Sequence, residues 1–339
     1  MKAGVVALLF LLISSFPIVP AVAQYDDDIV VAQEWEGIYE LLLRFELNPS
    51  EMKAAFLQKN AKKLKGDTIL IAGTTYLLPE APKEITIKSV SAKESTYPIF
   101  GKKYAKVPVI DQQLKGAIYY LVSGHGGPDP GAMGTYGGHT LTEDEYAYDV
   151  TLRLARNLIS HGAKVYLIIQ DKNDGIRDQS ILPMDKQEVT YKDEKLPLNQ
   201  KARLKQRADE VNELYAANKG AYQRLIVIHI DSRSKGQNID VFFYHHHNSQ
   251  RGKHLASEIH KVFKSKYERH QPGRNYYGSV SSRSSLYMVK NTHPPMVYIE
   301  LGNIKNYRDQ LRFVRSDNRQ ALANWIELGV INDFEKSSR

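Results

Sequence analysis

From Ala117 onward the chain alternates two hydrophobic patterns. Mostly apolar runs of strand length occur at 117–122, 164–169, 224–230, 240–244 and 296–300, the first reading Ala117-Ile118-Tyr119-Tyr120-Leu121-Val122. Between them lie longer stretches of helical periodicity at 143–160, 202–218, 254–267 and 320–328. Strands without polar alternation are buried on both faces. Their regular spacing by helices predicts an α/β domain at 117–334, with a mostly parallel central sheet covered by helices on both faces. No internal repeat is visible.

The first third reads differently. A short strand at 29–31 precedes a helix through 37–42, in which Ile38, Leu41 and Leu42 stand at i, i+3 and i+4 and give one apolar face. The turn Asn48-Pro49 leads into a second helix from Ser50 to about Gln58, and Tyr76-Leu77-Leu78 closes as a strand. So few residues bury only a modest core, so 29–80 is expected to be a compact βααβ accessory module. Scattered Pro, Lys and Ser without periodicity mark 81–116 as a linker ending in an ordered lead-in.

At the start, Lys2, the apolar run Val5 to Leu12 and the small residues Ala21-Val22-Ala23 form the pattern of a signal peptide, 1–23, cleaved after Ala23. The run is too short to span a bilayer, which takes about 20 apolar residues, and Pro17 and Pro20 break the stretch beyond it. Export to the periplasm or outside the cell, without stable membrane insertion, is expected.

Composition narrows the chemistry. The absence of cysteine removes disulfides, thiolate metal sites and cysteine nucleophiles, so any metal must be held by His, Asp or Glu. The net charge of +8 suits an anionic partner. No nucleic-acid motif accompanies it, and an exported basic protein is more simply drawn to an anionic envelope polymer.

Four features carry candidate chemistry. Ser123-Gly124-His125-Gly126-Gly127-Pro128-Asp129-Pro130-Gly131-Ala132 comes directly after the first buried strand, and its glycines let the backbone turn and leave His125 facing the sheet's C-terminal edge. The phosphate-loop reading fails for want of a Lys-Ser/Thr partner. His229 ends the apolar strand 224–230; a lone strand His is usually a core residue, but two at strand ends in a chain without cysteine suggest a zinc site that still needs a third ligand. Glu143-Asp144-Glu145 begins the next helix, where acids also favour the helix dipole, and composition does not separate ligand from dipole partner. Glu300 ends the apolar strand Met296-Val297-Tyr298-Ile299, where an unpartnered carboxylate is costly and a proton shuttle has a use; a surface-exposed strand end is the alternative.

In this order, these elements resemble the zinc N-acetylmuramoyl-L-alanine amidases of the amidase_3 type, from Ala117 to Leu328. Gly124-His125-Gly126-Gly127 with Asp129 and Gly131-Ala132 is similar to the family's first ligand loop, Ile228-His229 to its second His, and Ile299-Glu300-Leu301-Gly302 to its catalytic-Glu strand. Leu204-Lys205-Gln206-Arg207 with Val211-Asn212 resembles the helix before the second His. Aligning Arg153-Leu154-Ala155 on the family's helix assigns the carboxylate ligand to Glu143, whereas a shift of two would choose Glu145. The resemblance implies zinc held by His125, Glu143 and His229, Glu300 as acid-base, and hydrolysis of the bond between N-acetylmuramic acid and L-alanine in peptidoglycan. An activator protein is left open as a second partner, as are a non-catalytic peptidoglycan-binding protein and a metal-dependent peptidase or deacetylase on another envelope substrate.

The N-terminal module resembles the LysM domain in Ile38-Tyr39, Asn60, Gly73 and Tyr76-Leu77-Leu78-Pro79, although Glu34-Trp35-Glu36-Gly37 replaces its usual opening Gly-Asp-Thr; a spacer without binding function is the alternative. After Gly302, Asn303 and Lys305 depart from the amidase pattern, and 171–199 is longer and more charged than a minimal connection, which suggests a surface insertion shaping access. His245-His246-His247 points to alternating faces and is expected to be a solvated loop or adventitious metal binder. His139 and His293 have ordinary loop readings.

Overall fold

The computed structural model describes residues 29–33, 37–45, 47, 49–64, 70–79, 95–232, 236–271 and 273–337. The signal-peptide segment and the first part of the linker lie outside the described residues.

The N-terminal segment has the expected order: β1 (Ile29–Val31), α1 (Ile38–Arg44), α2 (Pro49–Lys59), the single turn α3 (Ala61–Leu64) and β2 (Thr75–Leu77), with β1 antiparallel to β2. Ile38, Leu41, Leu42, Phe56 and Tyr76 form its core. Asn60 ties helix to strand, its Nδ2 donating to Phe56 O and Leu77 O while its Oδ1 accepts from Leu77 N.

The lead-in β3 (Ser95–Thr96) and β4 (Lys106–Val107) bury Phe100, Val107 and Leu114 against the main core. Then come β5 (Ala117–Ser123), the hairpin β6 (Met133–Tyr136) and β7 (His139–Thr142), α4 (Glu143–Ser160), β8 (Lys164–Leu167), and the short strands β9 (Ile169–Gln170) and β10 (Val189–Thr190). The chain continues through α5 (Gln200–Ala217), β11 (Tyr222–Asp231), β12 (Phe242–His245), α6 (Gln250–His270), β13 (Ser279–Ser282), α7 (Tyr287–Asn291), β14 (Met296–Asn303), α8 (Tyr307–Val314) and α9 (Ser316–Ser337).

The expected central sheet is present, with six strands in the order β13-β12-β14-β11-β5-β8. Every neighbouring pair is parallel except β12 and β14. Side-chain alternation divides its two faces. Tyr119, Leu121, Ile226, Ile228, Val297 and Ile299 enter the core shared with α4, α6 and α9, whereas Tyr120, Val122, Val227 and Tyr298 pack with Ala208 and Val211 of α5 and Met288 of α7. No helix among the described residues is long and apolar enough to cross a membrane.

At the C-terminal end of α4, His161 lies between two acids, with Nδ1 2.8 Å from Asp111 Oδ1 and Nε2 2.6 Å from Glu327 Oε1. Burial alone would lower its pKa, but the two carboxylates outweigh burial and raise it from 6.5 to about 10. Burial likewise opposes ionisation of Asp111, yet His161 holds that carboxyl down at about 2. The cation's contribution is complete below its unfolded pKa and is lost as pH rises through about 10. The Asp111 contribution is lost as pH falls through about 2. His161→Gln should therefore destabilise the fold by about 3 kcal/mol near pH 6, because one buried and one half-buried carboxylate lose their cation. Urea unfolding of both proteins between pH 5 and 10, about the window of the shift, should show the difference shrinking in alkali.

Candidate metal centre

The first ligand loop begins where β5 ends. His125 has φ +62°, and Gly126 and Gly127 come next at +97° and +63°, so three consecutive residues occupy the left-handed region. Only glycine adopts that conformation at little cost, and the run turns the chain sharply enough to project the His125 ring over the sheet edge.

His229 arrives from the neighbouring strand, and its ring centroid lies 5.0 Å from that of His125 in an edge-on arrangement. Glu143 opens α4 and fills the space between the rings. Its Oε2 is 3.1 Å from His125 Nε2, and its Oε1 is 2.7 Å from His229 Nδ1. The same oxygens accept backbone N–H groups from Ala132 at 2.8 Å and Ile230 at 2.9 Å, which fixes the carboxylate plane. One ligand atom from each of His125, Glu143 and His229 lies within 4.8 Å of the others.

Two glycines make this convergence sterically possible. A Cβ on Gly124 would stand 2.4 Å from His229 Cε1, and one on Gly131 would stand 2.6 Å from His125 Cδ2 and 2.8 Å from Glu143 Oε2. Gly124→Ala should therefore displace the His229 ring and lower metal affinity about 10–100-fold without removing a donor, as lesions just outside the ligands do. Equilibrium dialysis against zinc measures it.

A second layer orients the first. Asp129 Oδ2 lies 3.0 Å from His125 Nδ1 and 2.6 Å from Arg203 Nη2, and the Arg207 guanidinium donates to the His125 carbonyl. The α5 helix thus grips the loop through two arginines. His229 stacks on Tyr298 with ring centroids 4.5 Å apart and planes 15° from parallel.

This packing sets the electrostatics. For His125 burial opposes the charged form, but Asp129 and Glu143 outweigh it and raise the pKa to about 10. His229 goes the other way, lowered chiefly by burial. Burial would raise Glu143, yet the two imidazoles hold it well below the usual carboxylate range. Two nitrogens and one ionised oxygen around a common point, with no sulfur, are a donor set that suits zinc.

Glu300 sits one strand away. It is the register partner of His229 in the parallel β11–β14 pair, so both side chains leave the same face of the sheet at the same level. It is 6% exposed.

Glu145 belongs elsewhere. It pairs with Arg177 Nη1 at 2.8 Å and accepts the Asp185 N–H at 2.9 Å, so of the two register choices it is Glu143 that stands between the imidazoles. The histidine tract differs in part from the solvated expectation: His245 is buried at the end of β12 with Nδ1 2.9 Å from His246 O, while His246 is half-buried and His247 exposed. The segment 171–199 sends Glu188 to the Gly127 N–H at 2.7 Å and packs Leu196 against Gly127. Nothing in the sequence pattern marks Arg203, Arg207, Tyr298 or Glu188 as site residues. Of these, Arg207 alone falls in a stretch that resembles the family.

Comparison with known proteins decides the family. Residues 120–332 match the Amidase_3 model, described as N-acetylmuramoyl-L-alanine amidase. The chain belongs to this family. Among solved structures, the amidase CwlD of Clostridioides difficile, determined in complex with the GerS lipoprotein, is 21% identical, with a TM-score of 0.48 over 65% of this chain and 98% of that one. AmiC2 of Nostoc punctiforme is 18% identical, with a TM-score of 0.45 over 67% and 99%. Ami1 of Mycobacterium smegmatis is 17% identical, with a TM-score of 0.48 over 66% and 99%. Comparison with curated proteins gave no match. Membership in the amidase family rests on the match over 120–332, which covers most of the chain.

Proposed function

We propose that this amidase is a zinc-dependent, exported hydrolase of the amide bond between the lactyl group of N-acetylmuramic acid and L-alanine in peptidoglycan. The observation that carries this reading is the convergence of His125, Glu143 and His229 within 4.8 Å at the edge of the sheet. They would hold the metal through two imidazole nitrogens and a carboxylate oxygen. When bound, zinc supplies Lewis acidity to the scissile carbonyl and to an attacking water.

The remaining steps fall to the chain itself. Glu300 accepts the proton of the attacking water on a carboxylate oxygen and returns it to the departing L-alanine nitrogen, so one group serves as base and then as acid. The neighbouring Glu143 stays an acceptor because two N–H groups and two imidazoles surround it. Asp129, held by Arg203, orients His125 so that Nε2 turns toward Glu143. The signal peptide at 1–23 would deliver the enzyme to its substrate, and the basic charge of +8 favours encounter with an anionic envelope polymer. The LysM-like module at 29–80 would hold glycan beside the catalytic domain.

Digestion of purified peptidoglycan, with the products identified by mass, tests this reading. Free stem peptides beginning with L-alanine and unbroken glycan strands are expected. Cleavage within the peptide, loss of acetyl groups only, or no soluble product would contradict it.

A further inference from the structure

We propose that the chain carries a second cation site, distinct from the histidine centre, that takes a hard divalent ion of the calcium class. Asp144, Glu145 and Glu188 bring one carboxylate oxygen each within 4.8 Å of the others, and Asp171, Asp185 and Glu188 do the same. Glu188 is common to both groups, so five carboxylates form one continuous cluster. Four of them are buried, with Asp144 at 1%, Asp171 at 2%, Glu145 at 3% and Glu188 at 6% exposure.

The protein's own cations cover little of this charge. Arg177 is the guanidinium paired into the cluster, through Glu145, and it is shared with Asp174. Arg207 reaches Glu188 only through the longer-range field. Burying like charges together is costly unless a counter-charge joins them.

One atom points to the missing partner. Asp144 Oδ1 accepts the Glu145 N–H at 2.9 Å, but Oδ2 is buried with no partner in hydrogen-bonding geometry, the Thr142 hydroxyl interacting with the carboxyl more loosely. An oxygen left bare inside a group of carboxylates is where an ion would complete the valence.

The donors are already held in place. Asp171 Oδ1 accepts the N–H groups of Asn173 at 2.6 Å and Asp174 at 3.0 Å, and Glu188 Oε2 accepts that of Gly127. The set is all oxygen, which selects calcium, magnesium or manganese over zinc, and a cluster of this many carboxylates suits the larger, more loosely coordinated ion. An ion here would join the segment 171–199 to the first turn of α4 and, through Glu188, to the His125 loop, without sharing a ligand with the histidine centre.

Equilibrium dialysis of the whole zinc-loaded protein against radioactive calcium tests the site, with magnesium and manganese as competitors. One calcium per chain is expected, saturating at or below about 1 mM, the range of extracellular calcium modules. Each of Asp144→Asn and Glu188→Gln should weaken it at least about tenfold, because charge count sets calcium affinity. Circular dichroism establishes that each variant is folded. No saturable uptake of any of the three ions by the parent, uptake unchanged in both folded variants, or calcium displaced by the first equivalent of zinc would overturn the proposal. None of these outcomes depends on which bond the enzyme cuts.

Discussion

Glu300→Gln should retain zinc and slow release of stem peptide by about 10²–10⁴-fold, the usual worth of a positioned acid-base group. The substitution keeps the shape of the side chain and removes only its capacity to take a proton. Glu300 leaves β14 at the level of His229 and on the same face, and it is not one of the three groups that converge as ligands. Loss of turnover with metal retained would therefore separate proton transfer from metal binding. Steady-state hydrolysis and zinc content measured on one preparation check it, and undiminished kcat would remove Glu300 from the mechanism.

Glu143→Gln is expected to be the larger lesion. Its two oxygens bridge both imidazoles and accept from Ala132 N and Ile230 N, so the anion is at once a proposed ligand and the tie between the His125 loop, β11 and α4. An amide cannot accept at both ends, and one oxygen position becomes a donor facing N–H groups. Zinc affinity should fall by more than the roughly 100-fold that outer-shell lesions cost, and hydrolysis should fall to background. Dialysis against zinc and the stem-peptide assay report the two effects. Retention of stoichiometric zinc would show that Glu143 is not a ligand.

Much of the fold is legible along the chain because the central strands are mostly apolar, with their polar residues near the ends. The run 117–122 announces β5, and the acidic start of 143–160 announces α4. Strand ends are harder: β11 continues to Asp231 and β14 to Asn303, past the point where the apolar run gives way to polar residues. The β6–β7 hairpin is absent from the apolar pattern, and its one signal is Gly137-Gly138 between short strands. The strand Ser279–Ser282 offers a single apolar position, Val280, because it lies at the edge of the sheet. Nor does local sequence reveal direction, and β12 proves antiparallel to β14.

The same division holds at the site. His125, His229 and Glu300 stand at strand ends, where topology alone gathers them. Glu143 needs a helix register to distinguish it from Glu145, and its environment separates the two: one lies between imidazoles, the other against Arg177. Arg203 reaching Asp129, and Glu188 reaching Gly127, join residues 74 and 61 positions apart, which no local pattern encodes.

The zinc K-edge absorption spectrum of the purified protein reads which side chains hold the metal. About one zinc per chain is expected, with two imidazole nitrogens and carboxylate or water oxygen at about 2.0–2.2 Å, and loss of that signature in Glu143→Gln. A protein that takes up no zinc, or a spectrum unchanged by that substitution, would contradict it.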